Sequence, residues 1–248
     1  MASTTSARNS GLFDDLLPRF TDATGIEVRV VAVGTGQAIR LAERGDADVL
    51  LVHHRPSEDR FMAEGHGAER RDLMHNSFVL IGDRSDPAQV EGHDIIEALV
   101  RIARQKTLFV SRGDQSGTHR KELALWAEAD IDARAASGTW YREAGAGMGA
   151  TLGITVGLHA YTLTDRASWL NFDHKDRLRI LVTGDTRLFN PYGVILVNPG
   201  RHPHVKAAEG RRFLDWLTSP EGQLAIANYR IHGEQVFFPD APGRAPGD

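Results

Sequence analysis

The chain has 248 residues, 41% hydrophobic and 25% charged, the balance of an ordinary globular protein with room for one large domain or two of about 120 residues each. A formal net charge of −4 argues against a general nucleic-acid binder, which carries a basic excess, yet it allows a small anion held by a few local donors. The absence of cysteine excludes disulfides and thiolate metal sites, and no apolar run approaches the roughly 18 residues of a membrane span.

Met1–Ser6 holds no basic segment followed by an apolar core, so no secretion signal is read in this chain. Ser3-Thr4-Thr5-Ser6 is a hydroxyl cluster ahead of Leu12, Phe13, Leu16, Leu17 and Phe20, whose spacing predicts a helix that Pro18 should bend or end. Glu27–Val33 predicts a strand, Gly34-Thr35-Gly36-Gln37 a loop and Ala38–Arg44 a helix. Gly34 and Gly36 supply only half of a dinucleotide fingerprint. Ile39 stands where the third glycine is needed and the Walker lysine is missing, so no nucleotide is predicted. Val49–Val52 reads as a buried parallel strand ending in His53-His54. Adjacent histidines leave a strand on opposite sides, a poor start for a metal site even with His66 and His75 nearby. Phe78–Gly82 predicts a strand, Asp83–Gly92 a loop and Asp94–Ala103 an amphipathic helix.

The densest chemistry follows in Ser111-Arg112-Gly113-Asp114-Gln115-Ser116-Gly117-Thr118-His119, between the strand Thr107–Val110 and the helix Arg120–Trp126. A loop of this kind opening a helix can aim N–H groups and hydroxyls at one point, where the helix N-terminus favours an anion. Arg112 can add a planar fork of donors. The competing use is structural: Asp114 or Ser116 caps the helix and Arg112 pairs with Asp114 or Asp165.

Gly145–Gly149 suggests a close backbone approach or a helix entry, and Ile154–Ala160 continues as a helix. Tyr161–Arg166 reads as an extended segment ending in a cap, and Leu178–Val182 as a strand. Asn190-Pro191-Tyr192-Gly193 breaks the pattern before a strand at Val194–Pro199. His204–Leu217 is a helix, Ser219-Pro220 opens a last one, and the Pro- and Gly-rich tail from Pro239 is expected to be loose. Strands alternating with helices predict an α/β protein with mostly parallel sheets, whose ligands bind at C-terminal strand edges beside helix N-termini. Hydroxyl or glycine loops stand at three such junctions: Ser3–Ser6, Gly34–Gly36 and Ser111–Thr118.

Thr4-Thr5-Ser6, Val33-Gly34-Thr35-Gly36, the Ser111–His119 loop, Gly147-Met148-Gly149, Tyr161–Arg166 and Asn190-Pro191-Tyr192-Gly193 together resemble the tungstate-binding proteins of ABC importers, from residue 3 to about Gln223. The resemblance implies a two-lobed periplasmic-binding-protein fold of type II with the ligand cleft between lobes. Residues 1–80 plus 190–248 would form lobe one and 81–189 lobe two, with crossovers at Phe78–Gly82 and Leu188–Tyr192. It assigns Thr5, Ser6 and Thr35 to the oxyanion on the first lobe, and Arg112, Ser116, Gly117 and Thr118 on the second. It implies no cofactor and no protein ligand on the metal itself, since tungstate, or molybdate, is held as an oxyanion. The partner implied is a membrane permease, for a monomer working outside the cytoplasm. The chain departs from the family in having only Met1-Ala2 before the hydroxyl motif and Ser3 where a threonine is usual.

Tungstate near neutral pH is a dianion whose oxygens only accept hydrogen bonds, so hydroxyls, N–H groups and one Arg suit it. Two other classes compete. A hydrolase would have to use Ser116 with His119, three residues apart and without a Gly-x-Ser-x-Gly elbow. A cytoplasmic oxyanion sensor of the same fold would be expected to carry a DNA-binding segment, and none is read. For Arg166, pairing with Asp165 or a helix C-terminus is the first expectation; Tyr161 and Tyr192 suit a cleft wall or the core equally.

Overall fold

The computed structural model describes residues 1–175 and 177–241. The chain forms two compact units: Met1–Asn76 with the chain from Asn190 on, and Ser77–Phe189. Unit one begins with β1 (Ala2–Thr4), α1 (Thr5–Asn9), α2 (Leu12–Thr24), β2 (Val31–Val33), α3 (Thr35–Glu43), β3 (Val49–Val52) and α4 (Arg55–Ala63). The long β4 (Gly67–Asp83) carries the chain into unit two. There follow α5 (Ile95–Gln105), β5 (Phe109–Ser111), α6 (Gly117–Glu128), β6 (Tyr141–Glu143), α7 (Met148–Leu158), β7 (Thr162–Asp165), α8 (Arg166–Leu170) and β8 (Leu178–Val182). The return strand β9 (Phe189–Val197) leads to α9 (Ala207–Leu217), α10 (Pro220–Asn228) and the short β10 (Arg230–Ile231), β11 (Glu234–Gln235) and β12 (Phe238–Pro239).

The main sheet runs β12-β4-β9-β3-β1-β2, with β7 and β8 on the later half of β4. It is mixed: β1 lies parallel to β2 and β3, whereas β3–β9 and the pairs of β4 with β7, β8 and β12 are antiparallel. The expectation of mostly parallel sheets thus holds at β1–β2–β3 and at β5–β6 but not across β4 and β9. Unit one packs Ala38, Ile39, Leu50, Phe61 and Ile195 into one core; unit two packs Leu80, Ile95, Phe109, Trp126 and Tyr141, with Trp126 edge-on to Phe109 at 5.1 Å.

Several elements differ from the sequence reading: α3 opens at Thr35, inside the expected Gly34–Gln37 loop, and four others depend on their packing or pairing partners. Pro18 does not end α2, which continues to Thr24. Proline removes one N–H and costs roughly 3 kcal/mol in a helix interior. Continuing the helix seats Phe20, fully buried, against Phe213 at 4.9 Å and Trp216 at 5.6 Å, and the row Leu12, Phe13, Leu16 joins it inside. Strand β2 holds only Val31–Val33, because pairing stops at Ala2 opposite Val31. Strand β4 starts at Gly67, eleven residues before the apolar run, and its polar half is tied by ion pairs: Arg70 to Glu58 at 2.8 Å and Arg71 to Asp215 at 2.6 Å. Strand β9 passes straight through Asn190–Gly193, since Val52 takes Gly193 as its partner. The tail expected to be loose falls largely on 242–248, outside the described residues. No helix among the described residues is long and apolar enough to cross a membrane.

Candidate functional site

In unit one the register of three strands gathers the hydroxyls. Thr4 stands beside Val33 and Ser3 beside Leu51, so the segments leaving β1, β2 and β3 start at one sheet edge. These segments bring Thr5 and Ser6, Thr35, and His53 to that edge. The hydroxyls have different duties. Ser3 Oγ donates to the Leu51 carbonyl at 2.8 Å and is wholly buried, a structural bond. Thr4 caps α1, its Oγ1 accepting the Ala7 N–H at 3.2 Å. Thr5 is half-buried, and Ser6 and Thr35 are buried. Ser6 Oγ lies 3.2 Å from Thr4 Oγ1 and 3.1 Å from His53 Nε2. The other ring nitrogen, Nδ1, meets Asn190 Oδ1 at 3.0 Å, and the ring stacks on Tyr192 at 4.7 Å.

In unit two the same logic recurs. Strands β5 and β6 pair in parallel, with Ser111 beside Glu143, and Thr162 Oγ1 donates to the Val110 carbonyl at 2.6 Å, which ties β7 to β5. The loops after β5 and β6 open α6 and α7, through N-caps Ser116 and Gly147. Gly113 takes a left-handed φ of 63°, and a Cβ there would come within 2.9 Å of Glu143 Cβ, so the turn requires glycine. The Gly113 N–H donates to Ser111 Oγ at 3.2 Å, and Ser111 in turn donates to the buried Glu122 at 2.7 Å. Glu122 also receives Tyr141 Oη–H at 2.7 Å and Trp126 Nε1–H at 3.2 Å. Burial nevertheless pushes its carboxyl up to about 7.

Arg112 is 4% exposed. Its Nη2 pairs with Asp114 Oδ2 at 2.5 Å, the structural use weighed above, while its buried Nε–H has no hydrogen-bond partner. Burial by itself raises the Asp114 carboxyl; the hydrogen bonds from Ser116 and Arg112 and the Arg112 charge outweigh it and hold it below its usual range. Ser116 Oγ accepts the His119 N–H at 3.2 Å as the cap of α6, while its hydroxyl donates to the Asp114 carboxylate. The N–H groups of Gly117 and Thr118, the first two of α6, fall outside the helix's own ladder. Thr118 Oγ1 is buried without a partner, and so is His119 Nε2.

The sequence offers His119 only as a base for Ser116. Its Nδ1 accepts the Gln115 N–H at 3.1 Å, so the hydrogen sits on Nε2, and burial lowers its proton affinity and keeps the ring neutral. It is a donor, and the Ser116–His119 contact runs through the His119 backbone N–H and not the ring. Asp165 caps α8 through Ser168 N–H at 2.9 Å. His54 and His75 bind Ser57 and Asp240, and His66 sits against Arg201, so the histidines near His53 do not share a metal centre with it.

Each unit thus presents donors at a strand C-terminal edge, and the fold that builds them defines a class: a PBP superfamily domain matches residues 1–221, and the chain belongs to that superfamily. Within it the chain belongs to the tungstate-binding protein family. It is 46% identical over 246 residues to the tungstate-binding protein TupA of Peptoclostridium acidaminophilum, covering 97% of this chain and 85% of that one. Among solved structures it resembles the tungstate-binding protein TupA of Desulfovibrio alaskensis G20, at 42% identity over 98% of each chain and a TM-score of 0.88. It also resembles the tungstate ABC transporter protein of Geobacter sulfurreducens, at 46% identity, covering 92% of this chain and 97% of that one, with a TM-score of 0.84.

Proposed function

We propose that this chain captures tungstate, or the near-identical molybdate, outside the cytoplasm and delivers it to an ABC permease. The observation that carries the reading is the set of donors at the start of α6: buried Arg112 Nε and Thr118 Oγ1 without partners, beside the His119 Nε2–H. A buried donor without an acceptor costs about 1–3 kcal/mol, a cost that an acceptor-only dianion relieves. The N–H groups of Gly117 and Thr118 add to this set, Ser116 joins it by turning its hydroxyl from Asp114 to the anion, and Thr5, Ser6 and Thr35 supply the set of unit one. Each donor is a group that needs no proton removed, and no nucleophile with an aligned base stands among them. Membership of the tungstate-binding family supports the ligand, and the permease follows from it. Calorimetric titration with tungstate, molybdate, sulfate and phosphate tests the proposal. Tungstate and molybdate should bind more tightly than sulfate, which is smaller, and phosphate, whose proton needs an acceptor. Binding of none of the four would refute it.

A further inference from the structure

The Arg112 guanidinium can meet an anion only if the turn that carries it is fixed, and that turn leads back to Glu122. Ser111 and Gly113 flank Arg112, and both end on one hydroxyl: Ser111 Oγ accepts the Gly113 N–H at 3.2 Å and donates to Glu122 Oε2 at 2.7 Å. The other carboxyl oxygen, Oε1, takes Tyr141 Oη–H at 2.7 Å and Trp126 Nε1–H at 3.2 Å. Glu122, 2% exposed, thus ties the end of β5 and the start of β6 to α6 at one point inside unit two.

A carboxyl in this place is costly. It borders the core cluster of Phe109, Trp126 and Tyr141, and burial raises its proton affinity. An apolar side chain would avoid that cost. What the carboxyl contributes is an acceptor for Ser111. Ser111 is fully buried, so without Glu122 its hydroxyl would turn to Tyr141 Oη, which is also within its reach, and the lone pair now given to Gly113 would turn away. We propose that Glu122 is a positioning residue of the oxyanion site: through Ser111 it sets the turn at Arg112 and Gly113, and so the direction of the guanidinium, without touching the anion. This rests on the reading above that Arg112 is a donor to the anion.

The rest of the turn is built to hold one position. Gly113 takes a φ of 63° with no room for a Cβ, the Ser111 carbonyl accepts the Ala144 N–H at 2.8 Å, and the Arg112 carbonyl accepts the Ala146 N–H at 3.2 Å. Asp114 holds the far end of the Arg112 side chain by Nη2 at 2.5 Å. Asp114 therefore restrains the head of the side chain and Glu122 the backbone it grows from. Between the two restraints lies Nε–H, buried and without a partner. The link to Glu122 holds in either protonation state. An ionised carboxyl accepts from Ser111, whereas a neutral one donates to Ser111 Oγ, which keeps a second lone pair for Gly113.

Ser111→Ala cuts the link while leaving Glu122 and Arg112 in place. In competition calorimetry of the full chain with sodium tungstate it should weaken binding about tenfold, the worth of one misdirected charge-assisted hydrogen bond. Glu122→Leu should weaken it as much, since Ser111 then loses its acceptor. Glu122→Gln should bind within about threefold of the wild type, because its amide oxygen accepts from Tyr141 and Trp126 and its NH2 donates to Ser111 Oγ. Thermal melts without ligand check that each variant is folded. The deciding measurement is the double-mutant cycle of Ser111→Ala with Arg112→Ala. If Glu122 acts by directing Arg112, the effect of Ser111→Ala disappears once the guanidinium is gone, whereas a general loosening of the fold would weaken both backgrounds alike. An undiminished effect in the Arg112→Ala background would overturn the inference and leave Glu122 a structural group only. Wild-type affinity in Ser111→Ala, or Glu122→Gln binding as weakly as Glu122→Leu, would overturn it too. Failure of the underlying reading shows in a different place: Arg112→Ala alone would then bind tungstate as the wild type does, and the inference would fall with it.

Discussion

Replacing Arg112 by Ala probes the charged centre of the proposed site. The side chain is 5% exposed, its Nη2 is held by Asp114 at 2.5 Å, and its Nε–H has no partner inside the protein. Two of its N–H groups are thus available to an oxyanion, Nε–H and one on Nη1. Each charge-assisted hydrogen bond contributes about 1.5–3 kcal/mol. Losing two removes about 3–6 kcal/mol, which at about 1.4 kcal/mol per factor of ten weakens tungstate roughly a hundredfold to ten-thousandfold. The fold should survive, because Asp114 Oδ1 keeps the Ser116 N–H at 3.1 Å and its side chain, 21% exposed, reaches water. Arg112→Lys keeps the charge and loses the planar fork, so it should fall between the two. Calorimetry gives the affinities, and a thermal melt without ligand checks that the variants are folded. If Arg112→Ala binds tungstate within threefold of the wild type, the donors at the start of α6 are not the anion site.

Three further outcomes follow from individual buried groups. Thr118→Val removes a hydroxyl that is 1% exposed and unpartnered while keeping its shape, so tungstate affinity should drop about tenfold while the ligand-free protein gains about 1 kcal/mol in urea unfolding; lost stability would show that the hydroxyl serves the fold. Glu122, raised to about 7 by burial, binds its proton more tightly folded than unfolded, so the stability this gives is present at pH 4 to 5 and is lost as pH rises to 7. The loss is on the order of 3 kcal/mol; melting temperatures of Glu122→Gln should show a flatter decline over that range, and parallel curves would argue against the raised value. Gly222→Ala puts a methyl 2.1 Å from the Trp216 carbonyl oxygen, where α10 leaves α9, and backbone cannot yield as a side chain can. It should cost about 1–3 kcal/mol in urea unfolding without changing tungstate affinity.

The hydroxyl junctions were legible because each is local. Strand, loop and helix follow one another within eighteen residues at Phe109–Trp126, and composition alone marks the change of period. What escaped depends on partners far away in the chain. The charged half of β4 reads as loop until Arg70 meets Glu58 and Arg71 meets Asp215, 144 residues on. Asn190-Pro191-Tyr192-Gly193 reads as a break until β3 supplies the pairing. His53 reads as half of a doubtful metal pair until Asn190, 137 residues away, meets its Nδ1.

The serines of the hydroxyl loops make the same point about the site. Ser3, Ser6 and Ser116 are equivalent as letters, each in a polar stretch that opens a helix. Ser3 gives its proton to Leu51, which no anion can share, so it belongs to the sheet. Ser116 accepts the His119 N–H while capping α6 and gives its own proton to Asp114, the carboxylate that also holds Arg112. Ser6 stands between these cases: its oxygen lies within hydrogen-bond reach of both His53 Nε2 and Thr4 Oγ1. A hydroxyl-rich motif therefore nominates donors, but the hydrogen-bond direction at each oxygen selects among them. The partners at those oxygens are Leu51 for Ser3, Asp114 and His119 for Ser116, and His53 and Thr4 for Ser6, and only where they happen to lie a few positions away, as for Ser116 and for Thr4 beside Ser6, does the motif contain them.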